Sequence, residues 1–308
     1  MKVSLISTVK DSGEHIGEFL ESVRAQTRPP DEFVLVDGGS TDGTLDVLRS
    51  AEDLTLIEEP GANISRGRNV AIAAATHDVI AVSDADCVLA PDWLERLLAP
   101  LERGADVSMG AYRARADTFL EICMAAVAVP DPGELRADTF MPSSRSVAFR
   151  RAAFIEAGGY PEWLDRGEDM YFDIRLRESG ARMDLAADAV AEWRVRPGLL
   201  EHWKQYSDYA RYDAIAGMYP RRHAVRFAVY GGGALLLRPR RTGLVMLAAL
   251  AGVAYAWKPI RRASRKLDER ERRKAVAAVP ALMAFTDAAK MAGYLRGTLE
   301  RRRHTRER

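Results

Sequence analysis

Phe33-Val34-Leu35-Val36 runs straight into Asp37-Gly38-Gly39-Ser40-Thr41-Asp42-Gly43-Thr44. The apolar run reads as a buried strand. The polar segment after it holds two aspartates, three glycines, a serine and two threonines, more polar groups than a turn requires. Gly38, Gly39 and Gly43 alone would make a tight strand-to-helix turn, with Thr41 and Asp42 as caps. Whether the surplus serves a site depends on where this strand ends, and so on its neighbours.

Residues 1–110 alternate short apolar runs with helix-like segments. Val3–Val9, Phe33–Val36, Leu54–Ile57 and Val79–Ser83 read as strands. Glu14–Gln26, Leu45–Ser50, Ile64–Ala75 and Trp93–Leu101 read as helices, the last opened by Pro91. Such alternation predicts an α/β fold with a mostly parallel sheet flanked by helices. Ligands bind such sheets at the carboxyl ends of the strands. Asp37 and Asp84 then share one rim with Ser7, Thr8 and Lys10.

Ile80-Ala81-Val82-Ser83-Asp84-Ala85-Asp86-Cys87 is the second informative stretch. Two carboxylates one residue apart at the end of a buried strand form a hard oxygen site, suited to Mg or Mn. Further on, Glu168 and Asp169 open an amphipathic helix in GEDMYFDIRLRESG, residues 167–180. Acids there are favoured by the helix dipole. Beside exposed aromatics at Tyr160 and Trp163 they would equally suit a general base next to a platform for a sugar ring.

These segments, with ISRGRNVAIAAATHDVIAVSDAD and SVAFRRAAFIEAGGYPEWLDRGEDMYFDIRL, resemble in order and spacing the family 2 glycosyltransferases of the GT-A fold, from Val3 to about residue 218. The resemblance implies that Thr8, Lys10 and Asp37 contact the nucleotide, that Arg68 lies near the base or diphosphate, and that Asp84 lies against the ribose. It implies further that Asp86 binds a divalent cation (Mg or Mn), that Asp169 is the general base, and that Glu168 holds the acceptor. Inversion at the anomeric carbon is implied by the same likeness. Some members carry a histidine metal ligand after the acidic helix. Here residues 191–197 read AEWRVRP and the nearest histidine is His202, so one protein carboxylate with phosphate and water oxygens is the expected shell. EHWKQYSDYARYD, residues 201–213, is similar to a Gln-aromatic-Arg-Tyr helix of the family, and puts Arg211, with Trp163, on the acceptor side. Trp203, Tyr206 and Tyr209 there are equally at core spacing.

The 308 residues are enough for one large α/β domain or two smaller ones, with 47% hydrophobic and 29% charged residues. Cys87 and Cys123 show no metal or redox spacing and are expected to be reduced, in a cytosolic setting. MKVSLISTVKDSGEH is too polar for a signal peptide, so the N-terminal part is expected to stay in the cytosol. The net charge of +1 hides an asymmetry. Residues 221–308 hold 22 Lys/Arg against 6 Asp/Glu, a balance of +16, which leaves 23 against 38, or −15, for residues 1–220.

A basic tail on an acidic body points to an anionic surface. Phe227–Leu237 and Gly243–Trp257 hold 11 and 15 residues, short of the roughly 20 that a spanning helix needs. Arg238-Pro239-Arg240-Arg241 between them would fall on the far side of a spanning hairpin, against the positive-inside tendency. Two helices in or dipping into the cytoplasmic leaflet fit better, with arginines at the headgroups, and a short, strained hairpin is the alternative. Ala275–Phe285, leading into residues 287–303, is a third apolar stretch, whose plainer reading is an amphipathic helix packed on the catalytic domain. Nucleic acid fits the tail poorly, since its arginines interleave with aliphatic runs.

The expected organisation is a catalytic domain at 1–220, with a nucleotide-sugar half at about 1–110 and an acceptor half at about 111–220, followed by a membrane-associating helical region at 221–308. The expected function is metal-dependent, inverting transfer of a sugar from a nucleotide sugar to a lipid-linked or cell-envelope glycan at the cytoplasmic face of the membrane. The alternatives are a membrane-anchored, catalytically degenerate nucleotide-sugar-binding module and a nucleotidyltransferase. The second would show a glycine-rich loop where this chain reads STVKDSGEH.

Overall fold

A computed structural model describes residues 1–236 and 242–306, with side chains outside 233–251 and up to Arg302. The Arg238-Pro239-Arg240-Arg241 connection, with the argument built on it, lies outside the described residues. The elements in chain order are β1 Val3–Val9, α1 Ile16–Arg24, β2 Glu32–Asp37, α2 Thr44–Arg49, β3 Thr55–Glu58, α3 Ile64–Ala74, β4 Val79–Val82, β5 Cys87–Leu89, α4 Trp93–Glu102 and β6 Val107–Arg115. They continue with α5 Phe119–Ala128, β7 Val147–Arg150, α6 Arg151–Ala157, α7 Glu168–Glu178, β8 Met183–Arg194, α8 Leu199–Ala216, α9 Pro220–Leu236, α10 Thr242–Ser264 and α11 Glu269–Arg306. The chain divides into two compact units, Met1–Arg115 with Asp131–Arg194, and Ala116–Pro130 with Val195–Arg308.

The first unit is an eight-stranded sheet in the order β3-β2-β1-β4-β7-β6-β8-β5. β3, β2, β1 and β4 are parallel, and β7 then runs antiparallel to both β4 and β6. From β1 the chain winds outward through β2 and β3, then returns to place β4 on the other side of β1. That reversal opens a crevice at the carboxyl ends of β1 and β4. Because β7 is antiparallel, with Val82 opposite Val147, the loop entering β7 arrives at the same edge. β6 and β8 run in parallel toward that edge, bringing Tyr112 and Trp193. Strands buried on both faces carry unbroken apolar runs, as in Val79–Val82. Ile6, Val36, Ile80, Phe149 and Phe172 belong to one core between the sheet and its helices.

The acidic turn does not lead directly into a helix. β5 intervenes, pairing antiparallel with β8 so that Cys87 faces Trp193. Three residues are too few to display a strand period, which hid β5 from the sequence reading. Gly67 lets α3 lie close on β1, since a Cβ there would stand 2.8 Å from Thr8 Cγ2.

The second unit gathers α5 and α8–α11. α5 is opened by a capping box of Thr118 and Glu121, and packs Cys123 and Met124 against Ala263, Ala275 and Val279. Arg262 donates to the carbonyls of Ala126 and Val129 at its C-terminal end. α8 and α11 approach more closely than side chains usually allow. A Cβ on Gly293 would meet the Ser207 carbonyl oxygen at 1.9 Å, and one on Gly297 the Arg211 carbonyl oxygen at 2.1 Å. Glycine in a helix interior costs about 1 kcal/mol relative to alanine, and close backbone approach offsets that cost. Gly293→Ala is therefore expected to destabilise the protein by about 1–3 kcal/mol despite its better helix propensity. Thermal unfolding of the variant checks this, and an unchanged or raised Tm would refute it.

Candidate active site

Two loops at the crevice are zipped together. The Asp37 carboxylate, fully buried, accepts the N–H groups of Gly39 and Ser40 at 2.8 Å each and the Ser40 hydroxyl at 2.5 Å. From the β1 side, Asp11 accepts the Thr41 N–H, the Gly13 N–H donates to Asp42, and the Ser12 N–H donates to the Thr44 hydroxyl. The polar surplus after β2 is thus spent largely on shaping the rim. Gly39 and Gly43 stand at φ 94° and 88°, where a side chain would be strained. Thr8 is half-buried beside Gly67, and Lys10 is exposed on the rim.

Arg68 is 1% exposed. Its Nη1 donates to Glu168 Oε1 at 2.7 Å and its Nη2 to Asp84 Oδ1 at 2.6 Å, and its guanidinium lies 5.2 Å from the Tyr160 ring centroid. One arginine from α3 therefore ties the end of β4 to the start of α7. The sequence reading sets Arg68 beside the nucleotide and Glu168 beside the acceptor. In the structure both are buried and committed to each other, because neither charge is tolerated in the interior without the other. Burial pushes the Glu168 carboxyl up to about 6, with Asp169 adding and Arg68 opposing.

Tyr160 corrects the sequence reading, which sets it exposed beside Trp163. It is 2% exposed and packs on Phe154 and Phe172, with its hydroxyl bonded to Ser144, so it offers no platform to a sugar. Trp163 is 58% exposed, edge-on to Tyr171, just before α7. Asp169 is half-buried in the first turn of α7. Its Oδ1 accepts the Met170 N–H at 2.8 Å and its Oδ2 the Ser143 hydroxyl at 3.2 Å.

Ser143 in turn accepts from Arg145 Nη1 at 2.9 Å, and Arg145 Nε lies 3.9 Å from Asp84 Oδ2. The Arg145 guanidinium sits 4.7 Å from the Trp193 ring centroid and 5.4 Å from that of Tyr112. The sequence reading missed Ser143, Arg145 and Asp173. Asp173, one turn after Asp169, is buried with no partner on Oδ2 among the described residues, and burial pushes its carboxyl well above the usual range.

Asp86 is half-buried in the turn after Asp84, its Oδ1 3.7 Å from the Cys87 sulfur. Burial, then Asp86 and Asp84, push the Cys87 thiol far up, so it stays protonated. Among the described residues no group of three His, Cys, Asp or Glu gathers to hold a metal. The donor set fits a cation held by one carboxylate, Asp86, with phosphate and water oxygens, since Asp84 already faces Arg68 and Arg145. His202 is buried in the second unit, bonded to the Thr286 hydroxyl, and burial lowers it to about 4. Arg211 belongs to that unit too and pairs with Glu300 at 2.7 Å.

Residues 4–136 match the profile described as Glycosyl transferase family 2. That match, with the relatives below, makes this chain a glycosyltransferase similar to family 2. An O-antigen chain rhamnosyltransferase of Salmonella typhimurium is 25% identical over 70% of this chain and 74% of its own. A mannosyltransferase of Pyrobaculum calidifontis, solved with GDP-Man and Mn2+, superposes with a TM-score of 0.55, at 22% identity over 97% of this chain and 86% of that one. S. aureus TarS 1-349 with UDP-GlcNAc superposes at 0.56, at 19% identity over 99% and 92%. This glycosyltransferase thus has the GT-A fold, with a mixed sheet in which the parallel strands β1, β2 and β4 carry the rim.

Proposed function

We propose that this glycosyltransferase moves a sugar, with inversion, from a nucleoside-diphosphate sugar to a hydroxyl of a lipid-linked or cell-envelope glycan at the cytoplasmic face of the membrane. The observation that carries the reading is the strut Asp84–Arg68–Glu168, which holds the Asp84-Ala85-Asp86 turn and Asp169 in one crevice. Thr8 and Lys10 line the donor side, with Asp37 acting through the loop it clamps. Arg68 and Glu168 position the site and do not touch substrate. A divalent cation, Mg or Mn, bound by Asp86 would neutralise charge on the leaving diphosphate. Asp169 accepts the acceptor hydroxyl's proton as that oxygen bonds to the anomeric carbon, while the bond from that carbon to the diphosphate oxygen breaks and the nucleoside diphosphate departs. Trp163, exposed beside α7, offers its ring to the acceptor. The basic residues of 221–308 favour a membrane surface.

Calorimetry on the full chain with UDP, GDP and dTDP sugars, with and without Mn, tests the donor half. One nucleotide is expected to bind, with affinity lost in Asp86→Ala or without the metal. Binding indifferent to both would remove Asp86 from the reading.

A further inference from the structure

Within the helical unit, exposed large apolar side chains occur on α8, α9, α10 and α11, and the aromatic ones among them, Tyr230, Tyr255 and Trp257, lie on α9 and α10. Val225, Val229 and Tyr230 on α9 and Val253, Tyr255 and Trp257 on α10 all face solvent, with Tyr255 72% and Trp257 61% exposed. α9 and α10 touch one another. Arg221, Arg222, Lys258 and Arg261 are exposed along the same helices, and no acidic residue occurs between Arg221 and Lys266. Aromatic rings with cations beside them match the boundary between acyl chains and anionic headgroups.

α11 is different. Among the described residues it is the helix long and apolar enough to span a bilayer, over Glu269–Arg302. Yet Ala275, Val279, Leu282 and Ala289 are buried, and Gly293 and Gly297 lie on the α8 backbone. Midway along it, Asp287 binds Arg226 and Tyr230, and the Lys290 ammonium lies over the Tyr206 ring at 4.9 Å. Its exposed Leu295 and Leu299 flank the Arg296–Glu300 ion pair. Charges satisfied within a helical bundle are the mark of a packing helix.

We propose that the α9–α10 face, centred on Tyr230, Tyr255 and Trp257, docks on an anionic lipid surface, and that α11 stays out of the bilayer as the helix on which the unit is packed. This rests on the membrane-surface reading above and says which face is used.

Flotation of the full chain with phosphatidylcholine vesicles, with and without phosphatidylglycerol, tests it. Wild type is expected to float with the anionic vesicles, less so in high salt, and Tyr255→Ser/Trp257→Ser to bind at least about tenfold more weakly. Leu295→Ser/Leu299→Ser on α11 should float like wild type. As a readout that does not depend on the double variant folding, brominated lipid should quench wild-type fluorescence and quench Trp257→Phe measurably less. Loss of flotation in the α11 pair, or equal quenching with and without Trp257, would overturn the face assignment while leaving membrane binding intact. No flotation of wild type with any vesicle would overturn the membrane reading itself. Self-association that Trp257→Phe abolishes, without flotation, would overturn the proposal by assigning the face to a second copy of the chain.

Discussion

Asp169→Asn is expected to lower kcat by roughly 10²–10⁴-fold while leaving nucleotide affinity unchanged. The amide keeps the size and the hydrogen-bonding oxygen of the carboxylate but cannot take the acceptor's proton. Asp169 sits in the first turn of α7, at the positive end of the helix dipole, and accepts hydrogen bonds from Met170 and Ser143. Those hydrogen bonds hold the side chain in a fixed rotamer. Asp169 reaches the donor rim indirectly, along the path through Ser143 and Arg145 and by the strut made by its neighbour Glu168, so donor binding should survive. Nucleotide release from the sugar nucleotide that the chain turns over measures the first quantity, and calorimetry with the free nucleotide measures the second. Retained turnover would move the base elsewhere, and joint loss of turnover and nucleotide affinity would make Asp169 a donor-side residue.

The parallel half of the sheet was legible because its strands are buried on both faces and spell unbroken apolar runs, as Ile80-Ala81-Val82 does before Asp84. Direction was not legible. Nothing in Val147-Ala148-Phe149-Arg150 says that β7 runs against β4, yet that reversal is what brings Ser143 and Arg145 to the rim. Asp84 and Asp86 could be seen from local context alone. Arg68 stands out locally, but its burial does not, because its two partners lie 16 and 100 residues away and arginine is seldom buried without a partner. Tyr160 misled for the same reason. A tyrosine after two glycines looks exposed until Phe154 and Phe172 close over it. In the tail, the apolar composition was plain, but Gly293 and Gly297 acquire meaning only when the α8 backbone is seen against them.

Arg68→Met is expected to cost about 3–5 kcal/mol at neutral pH, because it leaves buried carboxylates without their counter-charge. Arg68 bonds to both Asp84 and Glu168, and Glu168 is 6% exposed. The loss should depend on pH in a direction that can be worked out. Glu168 is raised from 4.5 to about 6 in the folded protein. The folded state therefore holds its proton more tightly than the unfolded state, and the stability this confers is full below about 4.5 and gone as pH rises past about 6. Without Arg68 the positive charge opposing that rise is gone, and Glu168 should hold its proton to still higher pH. The Tm deficit of Arg68→Met against wild type should accordingly be larger at pH 7.5 than at pH 5.5, where Glu168 is neutral in the variant. Adding Glu168→Gln removes one of the two stranded charges and should recover part of the neutral-pH loss, leaving Asp84 as the remainder. A deficit independent of pH, or a double variant no more stable than Arg68→Met at pH 7.5, would show that the arginine acts by packing on Tyr160 and not by its charge.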